Sequence, residues 1–424
     1  MTMLRTFAAS AALALGLSPA AQAVDLEFYF PVAIGGPATQ IIDELVADYT
    51  AVTPGVKISA IYAGSYPDTL ARAITASRGG NPPQLAILDA PDLFTLLDEE
   101  LILPWDDFLT EEEMKTWVGG FFPAFMQNSQ TEGKTWGIPF QRSTPVIYWN
   151  KDAFKAAGLD PEVGPDTWDE MVEMGKKLTL RDASGKVTQW GVRIPAQSLW
   201  LPSGLVAANG GEMSSEDGTQ AYFNTPETIG AVEFLAALSR EHGVMEPGVI
   251  DWGATPRAFL DGQAAIIWTT TGNLTNIRKN ATFPFGVGML PAKVRRGAPT
   301  GGGNFYLFKG ASEEQLAEAV KFVKWATAPA QAAKWSIATG YVAPRPEVWE
   351  TEVMKEYVKE VPGAVVARDQ LQYTIRQFST YDVLQVSKAF NDNVAAVLNG
   401  EKSAAQAMAD AQAAADAILA AYRK

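Results

Sequence analysis

Residues 25–30, Asp-Leu-Glu-Phe-Tyr-Phe, alternate polar with apolar positions and carry aromatics, which predicts a strand. After the break at Gly35-Gly36-Pro37, Ile41, Ile42, Leu45, Val46 and Tyr49 recur at one-, three- and four-residue steps, the apolar stripe of an amphipathic helix. Thr53-Pro54-Gly55 ends that helix. Val56 to Ile61 predicts a second strand, Tyr66-Pro67-Asp68 opens a second helix reaching Ala76, and Leu85 to Leu88 is apolar throughout, as a strand covered on both faces is. Strand, helix, strand, helix, strand implies a parallel α/β sheet with right-handed crossovers.

The pattern resumes past residue 140. Pro145 to Trp149 predicts a strand, and Thr167 with Glu170 three residues on forms a capping box at a helix start. Thr225-Pro226 opens another helix with proline in its first turn. Ala264 to Trp268 and Phe283 to Leu290 predict strands, and Ser312 with Gln315 repeats the capping box for a helix through Thr327. The last third is helical, ending in the alanine-rich Ala404 to Ala421. No repeat, heptad or Pro/Gly/Ser-rich linker separates halves, so two interleaved α/β lobes are expected rather than two beads.

The N-terminus has a different character. Met1 to Ala23 holds one charge, Arg5, then the apolar run Phe7 to Leu17, then Ala21-Gln22-Ala23, a small-x-small cleavage pattern. The run falls short of the ~20 apolar residues that span a bilayer. Residues 1–23 are therefore expected to be a cleaved secretory signal peptide. With no lipobox cysteine, the product is expected to be soluble, and export with no cysteine fits a bacterial periplasm.

Composition removes whole classes of chemistry. Hydrophobic residues make 47% and charged residues 19% of the 424, a globular balance. Absent cysteine rules out disulfides, thiolate metal sites and cysteine nucleophiles, and a single histidine, His242, rules out multi-histidine metal sites. A net charge of −14 disfavours nucleic acid. No G-x-S-x-G elbow, H-E-x-x-H or Walker A is present. Gly133-Lys134-Thr135 has Asn128 where a P-loop glycine belongs, and Gly286-Val287-Gly288 runs into Pro291 instead of a third glycine. His242 stands at a helix end before a glycine, where a cation suits the helix dipole. Asp106-Asp107, Glu99-Glu100 and Glu111 to Glu113 lie on polar, solvated stretches. Catalytic residues, metals and cofactors are expected to be none. A secreted glycoside hydrolase using a carboxylate pair is the competing reading.

Tyr66, Trp200 and Tyr341 stand beside turn residues and off the apolar periodicity. Rings of this kind suit the C–H faces and hydroxyls of polyols. Gly301-Gly302-Gly303 is either a site of close backbone approach to a ligand or a plain turn.

The stretch Phe140-Gln141-Arg142-Ser143-Thr144-Pro145-Val146-Ile147-Tyr148-Trp149-Asn150-Lys151-Asp152, with Ala156 to Asp160 and Asp166-Thr167-Trp168 behind it, resembles the hallmark region of the extracellular solute-binding proteins of ABC importers. Within them it is most similar to the glycerol-3-phosphate-binding members. Gly64 to Asp68, Thr270 to Ile277, Gly301 to Gly303, and Thr339 to Tyr341 with Pro344 match as well, so the resemblance spans the mature chain.

The resemblance implies a two-lobed α/β fold of the type II periplasmic binding proteins, closing on a ligand by a hinge. It implies lobe I from 24–139 plus 272–328 and lobe II from 140–271 plus 329–424, with crossovers near 138–141, 269–273 and 326–332. The ligand shell it implies is Tyr66, Asp89, Ser143, Thr144, Trp200, Ser203, Thr271, Gly302, Gly303 and Tyr341. The partners it implies are a polyol, sugar or glycerophosphoester and the transmembrane subunits of a permease, the protein itself being a monomer in the periplasm. This chain departs from the glycerol-phosphate pattern in three places. The acidic residue after the third strand corresponds only loosely to Asp89, a second tryptophan is replaced by Ser203, and a late phosphate-facing arginine is replaced by Ser387. Arg142 is then either a substitute cation facing the ligand or a surface ion-pair partner near the hinge. Charge favours a neutral or zwitterionic polyol over free glycerol 3-phosphate.

Overall fold

The computed structural model describes residues 23–423, so the expected signal peptide lies outside the described residues except for Ala23. In chain order the strands are β1 (Val24–Phe30), β2 (Val56–Tyr62), β3 (Leu85–Asp89), β4 (Ile102–Leu103), a two-rung hairpin of β5 (Gln130–Thr131) and β6 (Lys134–Thr135), β7 (Ile138–Ser143) and β8 (Pro145–Asn150). They continue with β9 (Leu180–Arg181), β10 (Val187–Arg193), β11 (Ala264–Thr270), β12 (Phe285–Gly288), β13 (Ala298–Pro299), β14 (Gly301–Phe308) and β15 (Thr374–Ile375).

Two sheets organise the molecule. The first runs β2-β1-β3-β14-β4, with β7 also paired to β14. Strand β1 lies parallel to β2 and β3, as the strand–helix alternation predicts. Strand β14, about two hundred residues later, returns antiparallel between β3 on one side and β7 and β4 on the other. The second sheet runs β12-β8-β11-β10-β9.

Both sheets are covered on both faces. Leu26, Phe28 and Phe30 of β1 pack under helices Ala38–Val52 and Glu313–Ala326, whereas Tyr29 joins Leu70, Leu88 and Tyr306 on the opposite face. The predicted stripe Ile41, Ile42, Leu45, Val46 and Tyr49 is the buried face of its helix. In the second sheet Ile147, Trp149, Ile266 and Trp268 face helices Pro226–Arg240, Val383–Asn399 and Ala404–Leu419. Val146, Tyr148 and Ile267 face the helices of residues 274–280, 329–339 and 352–370 on the other side. The capping boxes at Thr167/Glu170 and Ser312/Gln315 form as expected.

Sheet membership departs from the expected division at two points. Strand β7 carries residues 140–143 into the first sheet. Strand β12 hydrogen-bonds to β8 and so keeps residues 285–288 in the second sheet, because the free edge of β8 satisfies its backbone. The chain returns to the first sheet only at Gly301.

Candidate functional site

The carboxyl ends of strands from both sheets point into one cleft, the position where open α/β sheets hold ligands. After β1 comes Val32 to Gly35, after β2 Ser65 to Pro67, and β3 ends in Asp89. From the other side come Gln197, Ser198 and Trp200 beyond β10, and Thr270 and Asn273 at the end of β11. The cleft has a larger chamber of about 970 Å³ and a smaller one of about 420 Å³. Tyr66, Asp89, Gln197, Trp200 and Gln377 line both and form the neck between them.

Local sequence explains how the rings are set. Gly64 turns with φ 102°, and Ser65 caps helix Tyr66–Arg78, which fixes Tyr66 at its first position. The Tyr66 hydroxyl donates to Oε1 of Gln141 at 3.1 Å. Trp200 donates Nε1–H to the carbonyl of Thr300 at 2.8 Å and meets Trp252 edge-on with centroids 5.7 Å apart. Tyr341 stacks on Trp335 at 5.8 Å.

The Gly301-Gly302-Gly303 run is strand, not a free turn, and it works by close approach. A Cβ on Gly301 would lie 2.4 Å from the Trp200 ring, one on Gly303 would lie 3.0 Å from Tyr66 Cε1, and one on Gly302 would lie 1.7 Å from the Gln141 carbonyl oxygen. Gly302 also holds φ +88°, where only glycine is unstrained.

Of the expected shell, Tyr66, Asp89, Ser143, Trp200, Gly302 and Tyr341 line the larger chamber, and Ser203 lines the smaller. Ser203 donates its hydroxyl to the Trp200 carbonyl at 2.6 Å. Thr144, Thr271 and Gly303 line neither chamber. Thr144 Oγ1 accepts from Gln370 at 2.8 Å, and Thr271 donates Oγ1–H to Gly340 at 3.2 Å and its N–H to the Thr144 carbonyl at 3.1 Å. The backbone bond joins the start of β8 to the end of β11, and the two side chains bond to Gln370 and Gly340 instead of lining a chamber. Gly303 sits opposite Asp89 in the β3–β14 ladder.

Arg142 fits neither expectation. It is 0% exposed, so it is no surface ion pair, and it lines neither chamber. Its Nη1 donates to the Gly302 carbonyl at 3.0 Å and to Asn304 Oδ1 at 3.3 Å, and the guanidinium lies 5.0 Å over the Phe125 ring. Burial draws it down to about 10, with Asp89 pulling the other way. Burial in turn pushes the Asp89 carboxyl up to about 7, opposed by Arg142, by Gln377 and by the Ala90 N–H. Asp89 Oδ1 accepts from Ala90 at 3.1 Å and from Gln377 Nε2 at 3.4 Å. Asp92, 5% exposed, is pushed well above the carboxylate range by burial and then by the charge of Asp89, and its Oδ2 has no partner.

Sequence reasoning missed Trp252, Asp92 and Gln377. Trp252 stands in Asp251-Trp252-Gly253, the same ring-beside-glycine signal that marks Tyr66, and that signal applied evenly finds it. Its Nε1–H crosses the cleft to the Ala33 carbonyl at 3.2 Å. Nothing local marks Gln377, which follows β15 and heads a C-terminal run of lining residues with Phe378, Val383, Leu384 and Ser387. Ser387 lines the smaller chamber. Among the described residues no group of three acidic or histidine side chains is placed to hold a metal, and no helix is long and apolar enough to cross a membrane.

Residues 44–363 match the family model described as bacterial extracellular solute-binding protein. The sn-glycerol-3-phosphate-binding periplasmic protein of Escherichia coli strain K12 is 30% identical over 383 residues, 88% of this chain and 86% of that protein. Its counterpart in Salmonella typhimurium is 29% identical over 425 residues, covering 96% and 95%. Among solved structures, UgpB from Mycobacterium tuberculosis in complex with glycerophosphocholine has a TM-score of 0.82 at 24% identity, covering 94% of this chain and 99% of that one. The cyclic alpha-maltosyl-1,6-maltose binding protein of Arthrobacter globiformis has a TM-score of 0.79 at 23% identity, covering 93% and 99%.

Proposed function

The chain belongs to the bacterial extracellular solute-binding proteins and has their two-lobed type II fold, and from that premise we propose that it captures a polyol, carbohydrate or glycerophosphate-type solute and delivers it to the permease of an ABC importer. The observation that carries this reading is the cleft itself. Loops from the carboxyl ends of both sheets line it, and Tyr66, Trp200 and Tyr341 present aromatic surface beside the carboxylate of Asp89. Rings with flanking polar groups are what a hydroxyl-rich solute requires.

In this reading Tyr66, Asp89, Ser143, Trp200, Ser203, Gly302 and Tyr341 touch the solute. Thr144, Thr271 and Gly303 act indirectly, through the backbone that shapes the floor. Lobe I is built on the first sheet and lobe II on the second, with the connections running at residues 143–145, between 288 and 301, and through helix Pro329–Thr339. Residues 1–23 are removed on export, and the mature chain works as a periplasmic monomer. Its family consists of transport components, so the cleft carboxyls hold substrate and break no bond.

A thermal-shift screen over glycerol phosphates, glycerophosphodiesters, polyols and oligosaccharides, with the solute recovered afterwards, tests this. A ligand that raises the melting temperature and returns intact supports binding. Turnover of any solute establishes the hydrolase reading instead.

A further inference from the structure

The chemistry of the cleft wall narrows the solute, given the binding reading above. Four carboxyl groups line the two chambers, Asp89, Asp92, Asp261 and Asp392, against two cations, Arg257 and Lys388. Lys388 is already bonded to Asp392, and Arg257 lies on the same helical turn as Asp261 at the exposed rim. The buried Arg142 is shut behind Gly302 and lines neither chamber; its Nη1 bonds to the Gly302 carbonyl and Asn304, its Nε and Nη2 have no partner, and Asp89 is the nearby charge that acts on it. Ser387, which lines the smaller chamber, carries no charge. No cation is left at the neck or floor to neutralise a phosphate, and an anion there meets an unfavourable field.

The polar side chains at the neck, and Asp92 in the smaller chamber, call for a particular partner. Gln377 is 7% exposed and its Oε1 has no hydrogen-bond partner, nor has Asp92 Oδ2. Leaving buried polar atoms unpaired is costly. Once ionised, Asp89 offers a carboxylate that only accepts, Gln377 a carbonyl that only accepts, and Asp92 a carboxyl kept neutral by burial and by the charge of Asp89 that also donates. A phosphate oxygen cannot donate to the first two, and an ammonium cannot accept from the third. Hydroxyls do both, on a sugar or on a glycerol moiety alike, so this wall calls for hydroxyls, and the absent cation and the chamber size decide what carries them.

Size points the same way. The larger chamber alone lies near the top of the ~300–1,000 Å³ range that suits drug-sized ligands, and the smaller one opens from it through the neck. A three-carbon solute would leave most of this wall without contacts. Trp200 and Trp252, edge to face, offer two ring surfaces along the length of the cleft.

We infer that the physiological solute is a neutral carbohydrate of two or more sugar units, threaded through the Tyr66–Trp200 neck into both chambers, with vicinal hydroxyls of one unit bonded to Asp89, Asp92 and Gln377.

Isothermal titration of the mature protein decides it. Linear di- to tetrasaccharides of neutral hexoses are titrated in parallel with sn-glycerol 3-phosphate and glycerophosphocholine. At least one oligosaccharide should bind ten-fold or more tightly than either phosphate ester. Asp92→Asn should weaken that oligosaccharide ten-fold or more. Ser387→Arg, a change at a partly exposed helix position that preserves the fold, should improve glycerol 3-phosphate binding and serves as the check if Asp92→Asn does not fold. Tighter binding of either phosphate ester by the unaltered protein overturns the carbohydrate assignment and leaves the solute-binding function standing. No binding by either class overturns both.

Discussion

Asp89 joins the chemistry of the cleft to the stability of the fold. With its carboxyl raised to about 7, the folded protein holds a proton between roughly pH 4 and 7 that the unfolded chain has released. Protons therefore favour the fold, and the stability they contribute is lost as pH rises through 7. Glu113, held down to about 2 by Lys324 and Thr110, acts in the opposite sense and only at much lower pH. The unliganded protein should melt at a lower temperature near pH 8 than near pH 5.5, and Asp89→Asn should flatten that difference in a scan across the window. Bound hydroxyls prefer the ionised carboxyl, so the ligand-induced rise in melting temperature should grow over the same interval. A second residue-scale expectation concerns Trp200, whose removal to Ala should weaken binding by about 1–3 kcal/mol by calorimetry. Trp200→Phe keeps a ring and loses only the bond to Thr300, so it should cost less. Trp200, Tyr66 and Arg142 mark the reach and the limit of sequence reading. Trp200 and Tyr66 were legible because aromatic rings beside turns break the apolar rhythm. Arg142 was misread because its neighbours Ser143 and Thr144 suggested a cleft-facing run, whereas strand alternation turns it into the core.

At the scale of elements, the strands and helices that periodicity and caps marked were read nearly to their ends, since those signals are local, whereas β7 and β10 were not marked. Sheet membership was not legible, because pairing is decided by which edge lies free after folding. Strand β12 shows this: Phe283 to Leu290 reads as a strand in any sheet, and only the open edge of β8 assigns it. Strand β14 shows the limit for glycine runs, where only a three-dimensional neighbour distinguishes an extended segment from a flexible turn. Its sensitivity should be uneven. Gly302→Ala drives a Cβ into the Gln141 carbonyl and strains the backbone, so the β7–β14 ladder must separate there. A loss on the order of 3 kcal/mol or more is expected in urea titrations. Gly36→Ala, with φ +100° and open space around it, should cost about 1–2 kcal/mol from backbone strain alone. Equal losses at the two sites would remove steric approach as the reason for the glycines.

For the whole molecule, the cleft is already bridged. Trp252 bonds to Ala33 at 3.2 Å and the Gly35 N–H bonds to Asn273 Oδ1 at 3.1 Å, each joining a loop of the first sheet to the wall of the second. Trp252→Phe removes one bridge of about 0.5–1.5 kcal/mol while keeping the ring face. Small-angle scattering should then show a larger radius of gyration without ligand, recovering when ligand contacts both lobes and draws them together. A radius unchanged by both the substitution and saturating ligand would count against a closing cleft. The insertion of β14 between β3 and its later neighbours has a consequence of a different kind. The sheet that begins at Val24 lacks a central strand until residue 308 is present, so the first half of the chain has no native way to bury the edge of β3. Contacts this distant in sequence close slowly. A nascent chain cut anywhere before Gly301 should remain sensitive to protease, and full-length refolding should show one late rise in protection shared by both ends of the sheet.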